Sequence, residues 1–142
     1  MRDRHPLQVA ALASGALFLI VGVLGFVPGV TSHYSELEFA GHESDALLLG
    51  IFRVSILHNI VHLLFGVLGV LAARTVRDSR NFLIGGGVVY LLLTVYGVAI
   101  DHASEANIVP INSADNWLHL VLAIAMIGAG VALGRTRPRV TT

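Results

Sequence analysis

The sequence predicts an all-α integral membrane protein: a four-helix transmembrane bundle made of two parallel-repeat helical hairpins, with both termini cytoplasmic. Three observations predict it. Four long apolar stretches run along the 142 residues, charges of opposite sign gather in alternate connections, and two short motifs recur in the same order.

Composition sets the class. The chain is 55% hydrophobic and 13% charged, with a mean hydropathy of +0.78. A soluble domain has about 45–50% apolar and about 25% charged residues, because its surface needs the charge. The sequence contains no cysteine, which excludes a disulfide framework, zinc–thiolate binding and thiol chemistry. All nine basic residues are arginine. Nothing in the sequence forms a catalytic triad, a phosphate loop or a nucleic-acid surface, so no catalytic residue and no nucleic-acid partner is expected.

The elements form one membrane domain over residues 1–142. The first apolar stretch, 9–27, is longer than a signal-peptide core of about 7–15 residues and has no A-x-A site after it, so it is read as a retained helix. The connection 28–46 carries the turn signals Pro28-Gly29 and Gly41. Phe26, Tyr34, Leu37 and Phe39 give it apolar mass to fold as an outer lid. The second stretch, 47–73, is capped in this reading by Ser44. As a continuous helix it would reach about 40 Å, more than the roughly 30 Å of hydrocarbon, so its first turns, 47–52, are expected to project beyond the membrane. The third stretch is 82–100. The fourth, apolar over 117–133 and spanning 115–134, is opened by Ser113 as the N-cap.

Charge gives orientation. Arg2, Arg4, Arg74, Arg77, Arg80, Arg135, Arg137 and Arg139 flank the N-terminus, the second connection and the C-terminus. Glu36, Glu38, Glu43, Asp45, Asp101, Glu105 and Asp115 belong to the first and third connections. Positively charged segments stay inside. Arg53 is the exception; on a continuous helix it would sit about 31 Å above Arg74 and snorkel to the outer headgroups.

Residues 15–25, GALFLIVGVLG, and 87–97, GVVYLLLTVYG, share the pattern G-x-x-[FY]-L-x-x-[GT]-V-x-G. Residues 58–63, HNIVHL, and 115–120, DNWLHL, share [HD]-N-x-x-H-L. Helix 1 thus resembles helix 3, and helix 2 resembles helix 4. This is a parallel repeat about an axis along the membrane normal. Helices 2 and 4 become diagonal partners, roughly 13 Å apart if neighbouring axes lie about 8–10 Å apart, a gap that two inward imidazoles close.

Those motifs carry the candidate site. Ser55, His58, Asn59 and His62 share one face of helix 2, as Asp115, Asn116 and His119 do on helix 4. Lipid cannot satisfy these groups, so they are expected to face inward as a structural polar layer, with glycines below it allowing close approach. Tyr90, Thr94 and Asp101 extend the layer along helix 3. The layer admits several chemistries. It can be interhelical hydrogen bonding alone. His58, His62, Asp115 and His119 form a ligand set suited to zinc or non-haem iron, with Asn59 and Asn116 as supporting partners. His62 and His119 are a candidate haem-binding pair, and the same histidines suit a proton relay. Asp115 has a simpler reading as an acid in the first turn of helix 4. Trp117 reads as an interfacial belt residue; His33, His42 and His102 read as solvated loop residues, and His5 as part of the basic N-terminus.

HPLQVAAL…GVLGFVPG, LLGIFRVSILHNIVHLLFG and SADNWLHL together resemble the bacterial membrane proteins grouped as domain of unknown function 4383, from about Pro6 to Gly134. The resemblance implies a small four-span protein of the bacterial cytoplasmic membrane and no particular activity. The leading functional expectation is a non-enzymatic accessory or scaffold subunit of a larger envelope assembly, meeting lipid and either other membrane subunits or copies of itself. The alternatives are a metal- or haem-binding protein with a redox or ion-handling role, and a transporter component acting as an oligomer. Against transport stands the lack of a Pro/Gly-broken helix at mid-membrane.

Overall fold

The computed structural model describes residues 4–135. Arg2, Arg137 and Arg139, which enter the orientation argument, lie outside the described residues. Four helices dominate: α1 (Pro6–Leu24), α2 (Ile56–Ala72), α3 (Val76–Ala99) and α4 (Ser113–Ala132). α1, α3 and the segment Ser113–Arg135 are long and apolar enough to cross a membrane, with mean hydropathies of 2.3, 2.0 and 2.0. α2 is apolar but shorter, at 17 residues, or about 26 Å.

Each helix begins where a side chain satisfies its first free N–H groups. His5 Nδ1 accepts from Leu7 N, and Gln8 completes the capping box; His5 is therefore a cap rather than part of a basic tail. Ser55 Oγ accepts from His58 N at 3.1 Å, Thr75 Oγ1 from Asp78 N at 3.0 Å, and Asn112 Oδ1 from Asp115 N at 2.9 Å.

These caps correct two boundaries. The second helix starts after Ser55, not near Ser44, and residues 47–53 are not its projecting turns. They form a β-hairpin in a small antiparallel sheet of β1 (Thr31–Ser32), β2 (Leu47–Leu48) and β3 (Phe52–Arg53), in that order. Leu49 and Gly50 both adopt positive φ, 54° and 71°, at the tip, a turn that a helix cannot contain. Ser44 instead bonds inside the loop, its Oγ donating to Val54 O at 2.7 Å. Arg53 is consequently a strand residue whose guanidinium pairs with Asp45 at 3.2 Å. The fourth helix is capped by Asn112, one residue before the expected Ser113.

α1 packs along α2 and α3 along α4, while α1 and α3 join the two pairs. The packing is inside-out relative to a soluble bundle. Leu17, Ile20, Leu64, Leu92, Val121 and Ile124 point outward and exposed. Inward positions mix small, polar and a few large apolar residues. On α1 the buried residues are Leu7, Ala11, Gly15, Phe18 and Gly22. The matching positions on α3 are Ser79, Leu83, Gly87, Tyr90 and Thr94, all buried. On α2, His58, His62, Gly66 and Gly69 are buried, and their counterparts on α4 are Asp115, His119, Ala123 and Met126.

The glycines set the helix separations. A Cβ on Gly15 would lie 2.8 Å from Val70 N and 2.9 Å from Gly66 O. A Cβ on Gly87 would lie 3.0 Å from Ile127 N and 3.1 Å from Ala123 O. Both hairpins therefore touch backbone to backbone, through matching atoms. The sheet covers one end of the bundle, where Ala46, Leu48 and Val54 pack with Val21 and Leu24 at the end of α1.

Candidate functional site

The Ser55 cap places His58, Asn59 and His62 in the first two turns of α2, on its inward face. The Asn112 cap does the same for Asp115, Asn116 and His119 on α4. His58, His62 and His119 are only 6%, 6% and 1% exposed. The rings of His58 and His62 lie 4.4 Å apart, and His58 meets His119 edge-on at 6.1 Å. Imidazoles from α2 and α4 thus face each other across the bundle.

Two further rings complete the circuit. Phe18 stacks on His62 at 6.0 Å and on Tyr90 at 5.4 Å with an interplanar angle of 8°. Tyr90 lies 5.2 Å from His119. His62, Phe18, Tyr90, His119 and His58 form a closed loop of five rings, with Phe65 set edge-on against Phe18 and Tyr90.

The polar atoms of this centre are largely unpartnered. Nδ1 of His58, His62 and His119, both amide atoms of Asn59, and Oδ1 of Asn116 are buried without a hydrogen bond. His58 faces the Arg53 backbone, but its Nδ1 remains without a partner. Asn59 occupies the space over Gly25, and Asn116 the equivalent space over Gly97. Neither amide bonds to a histidine.

Asp115 and Ser55 line cavities that flank the histidines, but their hydrogen bonds go to backbone. Asp115 Oδ2 accepts from Asn112 N at 2.9 Å and from Arg53 N at 3.1 Å, so its carboxylate closes the α4 capping box and fastens β3. Ser55 serves as the α2 cap. Among the described residues no group of three or more His, Asp or Glu side chains is arranged to hold a metal ion. Of the expected extension along α3 only Tyr90 joins the centre: Thr94 Oγ1 bonds within its own helix to Tyr90 O, and Asp101 lies beyond α3, exposed, accepting from Ala103 N.

Two cavities flank the rings. One, of about 170 Å³, lies between α1 and α4. The other, of about 100 Å³, lies between α2 and α3. His58 and His62 line both.

A family model described as Domain of unknown function (DUF4383) matches residues 8–132. The chain belongs to the DUF4383 family. It matches no curated protein and no solved structure.

In this DUF4383 protein the residues missed by sequence reasoning are those that wall the site. Phe18 occupies the same [FY] position of the longer repeated motif as Tyr90, which the helix 3 face already pointed to, so the signal was present; their contact with the histidines depends on how α1 and α3 meet. The roof residues Leu48, Phe52 and Val54 lie in a stretch whose hydropathy reads as helix. Trp117 is 69% exposed, on the outward face of the first turn of α4. His102 Nε2 lies 2.7 Å from Gly97 O at the end of α3, which makes it a helix-end residue rather than a free loop residue.

Proposed function

We propose that this chain is a four-crossing protein of a bacterial cytoplasmic membrane, with both termini cytoplasmic, that works by binding rather than catalysis. It acts as an accessory subunit of a larger envelope assembly, and its ligand sits at the histidine centre. The observation that carries this reading is the set of buried Nδ1 atoms without a hydrogen bond on His58, His62 and His119, three rings that line the α1–α4 cavity. A buried polar group without a partner costs about 1–3 kcal/mol. A layer serving only to hold helices together would spend its polar groups on bonds between them, and no hydrogen bond joins His58, His62 and His119 to one another among the described residues. Zinc or iron at His58, His62, Asp115 and His119 is less well supported, because these side chains do not converge. A haem held between His62 and His119 would displace the stacked Phe18 and Tyr90.

The accessory role draws support from the end covered by the sheet. Phe39, Leu49, Ile51 and Ile108 are exposed there, outside the helices, where a second membrane subunit or another copy of the chain can cover them. Both hairpins are read as descendants of one duplicated unit, since most matching positions are buried in each and Gly15 and Gly87 approach corresponding backbone N and O atoms.

His119→Leu tests the binding reading. Native mass spectrometry of the wild-type protein, released from membrane in mild detergent, is expected to show an adduct of constant mass. His119→Leu is expected to lose that adduct while keeping its melting temperature, because the ring Nδ1 it removes bonds to nothing. Identical adducts in both proteins, or collapse of the variant's fold, would overturn the reading. For orientation, a phosphatase fused at the C-terminus should be inactive and a cytoplasmically maturing fluorescent protein bright; the reverse pattern contradicts both-termini-inside.

A further inference from the structure

We propose that the cavity between α1 and α4 receives the head group of an isoprenoid quinone from the bilayer. This rests on the binding reading above and names its ligand class. Leu17 and Val21 of α1 and Leu118 and Leu122 of α4 line the sides of the cavity, and Leu17 is 46% exposed, on helices whose residues Ile20, Val121 and Ile124 are exposed too. These are membrane-crossing helices, so an opening between them leads to acyl chains. The outer end is roofed by Leu48, Phe52 and Val54, and Asp115 ties the roof down through Arg53 N. A ligand entering sideways through apolar walls is itself mainly apolar.

The inner wall then selects the head group. It presents the His58, His62 and His119 imidazoles, the Phe18 ring and Asp115, whose Oδ2 is already engaged by two backbone N–H groups. Among the described residues no arginine lines it, and the Arg53 guanidinium is paired with Asp45 at 3.2 Å. A phosphate head group would find no cation there, which sets phospholipids aside. The size is that of one ring. The cavity measures about 170 Å³, and an apolar cavity of about 150 Å³ is enough to take a benzene-sized molecule. A porphyrin does not fit.

Hydrogen-bond chemistry narrows the choice further. A neutral imidazole carries one N–H donor and one acceptor nitrogen, and the tautomer decides which is which. A quinone carbonyl needs a donor, and the hydroxyl of the corresponding quinol needs an acceptor. Imidazole offers either from a fixed position, so the same three rings suit both forms. Phe18, already stacked on His62 and Tyr90, gives that wall an apolar part, and the isoprenoid tail leaves past Leu17 into lipid.

The cavity between α2 and α3 is the internal control. Val89, Tyr90 and Leu93 of α3 and Val61, His62 and Phe65 of α2 line it, at the positions matching Leu17, Phe18, Val21, Leu118, His119 and Leu122. It is smaller, about 100 Å³, and no strand of the sheet lines it.

The test is titration of the detergent-purified protein with a two-isoprene benzoquinone and its naphthoquinone counterpart, together with extraction and chromatography of any quinone carried from the membrane. Leu17→Trp plugs the α1–α4 mouth from a half-exposed position, Val89→Trp plugs the sister cavity, and melting temperatures confirm that each variant is folded. The wild type is expected to bind quinone saturably. Leu17→Trp and His119→Leu should each weaken binding at least about tenfold, equivalent to about 1.4 kcal/mol, and Val89→Trp should leave it within about twofold. Absence of saturable quinone binding, or equal binding by Leu17→Trp, overturns the proposal. A different species, such as a metal ion or another lipid, that is bound by the wild type and lost in Leu17→Trp or His119→Leu overturns the quinone assignment and upholds the site. If no variant changes any bound species, both readings fall.

Discussion

Valine at position 15 is expected to force the first hairpin apart. Any side chain there meets backbone, with Val70 N and Gly66 O at 2.8 and 2.9 Å from the first carbon, and helical backbone cannot swing aside as a flexible side chain can. Overpacking of a tight contact costs about 1–3 kcal/mol and occasionally more. Gly15→Val should lie at the top of that range, about 3 kcal/mol, seen as a lower melting temperature in detergent and loss of the monodisperse peak on gel filtration. Gly87→Val should cost a similar amount, because it meets Ala123 O and Ile127 N in the same arrangement. Gly85→Ala is the control: nothing lies within 4 Å of its added carbon, and the change should stay within about 1 kcal/mol, the propensity difference between the two residues. Equal melting temperatures for Gly15→Val and wild type would show that the two helices do not touch through this glycine.

Asp115→Ala should release the sheet from the bundle. The carboxylate is 1% exposed and accepts from Asn112 N and Arg53 N. Removing it leaves two part-buried donors without partners, each at the lower part of the range of about 1–3 kcal/mol for a buried group, for a loss of about 3 kcal/mol. Asp115→Asn keeps one acceptor oxygen and should cost less, about 1 kcal/mol. Hydrogen–deuterium exchange separates this from general loosening. The amides of 47–53 and of the first turn of α4 should exchange faster, while those at the Gly15–Val70 contact keep their protection. Unchanged exchange over 47–53 would mean that the strand is held by something other than Asp115.

The helices were legible in the sequence because lipid imposes a blunt rule: a crossing segment must be long, apolar and internally hydrogen-bonded. Three stretches obey it in length. The second does so only apparently. Residues 47–52 are apolar, and apolar composition does not separate a strand from a helix over so short a run. The local signals that decide it, Gly50 at the turn and Ser55 at the cap, are outweighed by the hydropathy of residues 56–73. The inward direction of the histidines was legible from their spacing, and their mutual approach from the repeat. Their lack of partners was not, since hydrogen-bond geometry depends on side-chain angles that spacing does not encode. Asp115 shows the same limit. Its place in the first turn of α4 could be read from the sequence, whereas its bond to Arg53 N, 62 residues away, exists only because a strand folds back over the helix.

Gln8 has a bearing on how this protein is made. Its side-chain amide donates to Ala73 O and Arg74 O at 3.0 and 3.1 Å, partners 65 and 66 positions further along the chain. Those two carbonyls do not exist for Gln8 to hold until Arg74 has been made, so the base of the α1–α2 pair is fastened only after both helices are complete.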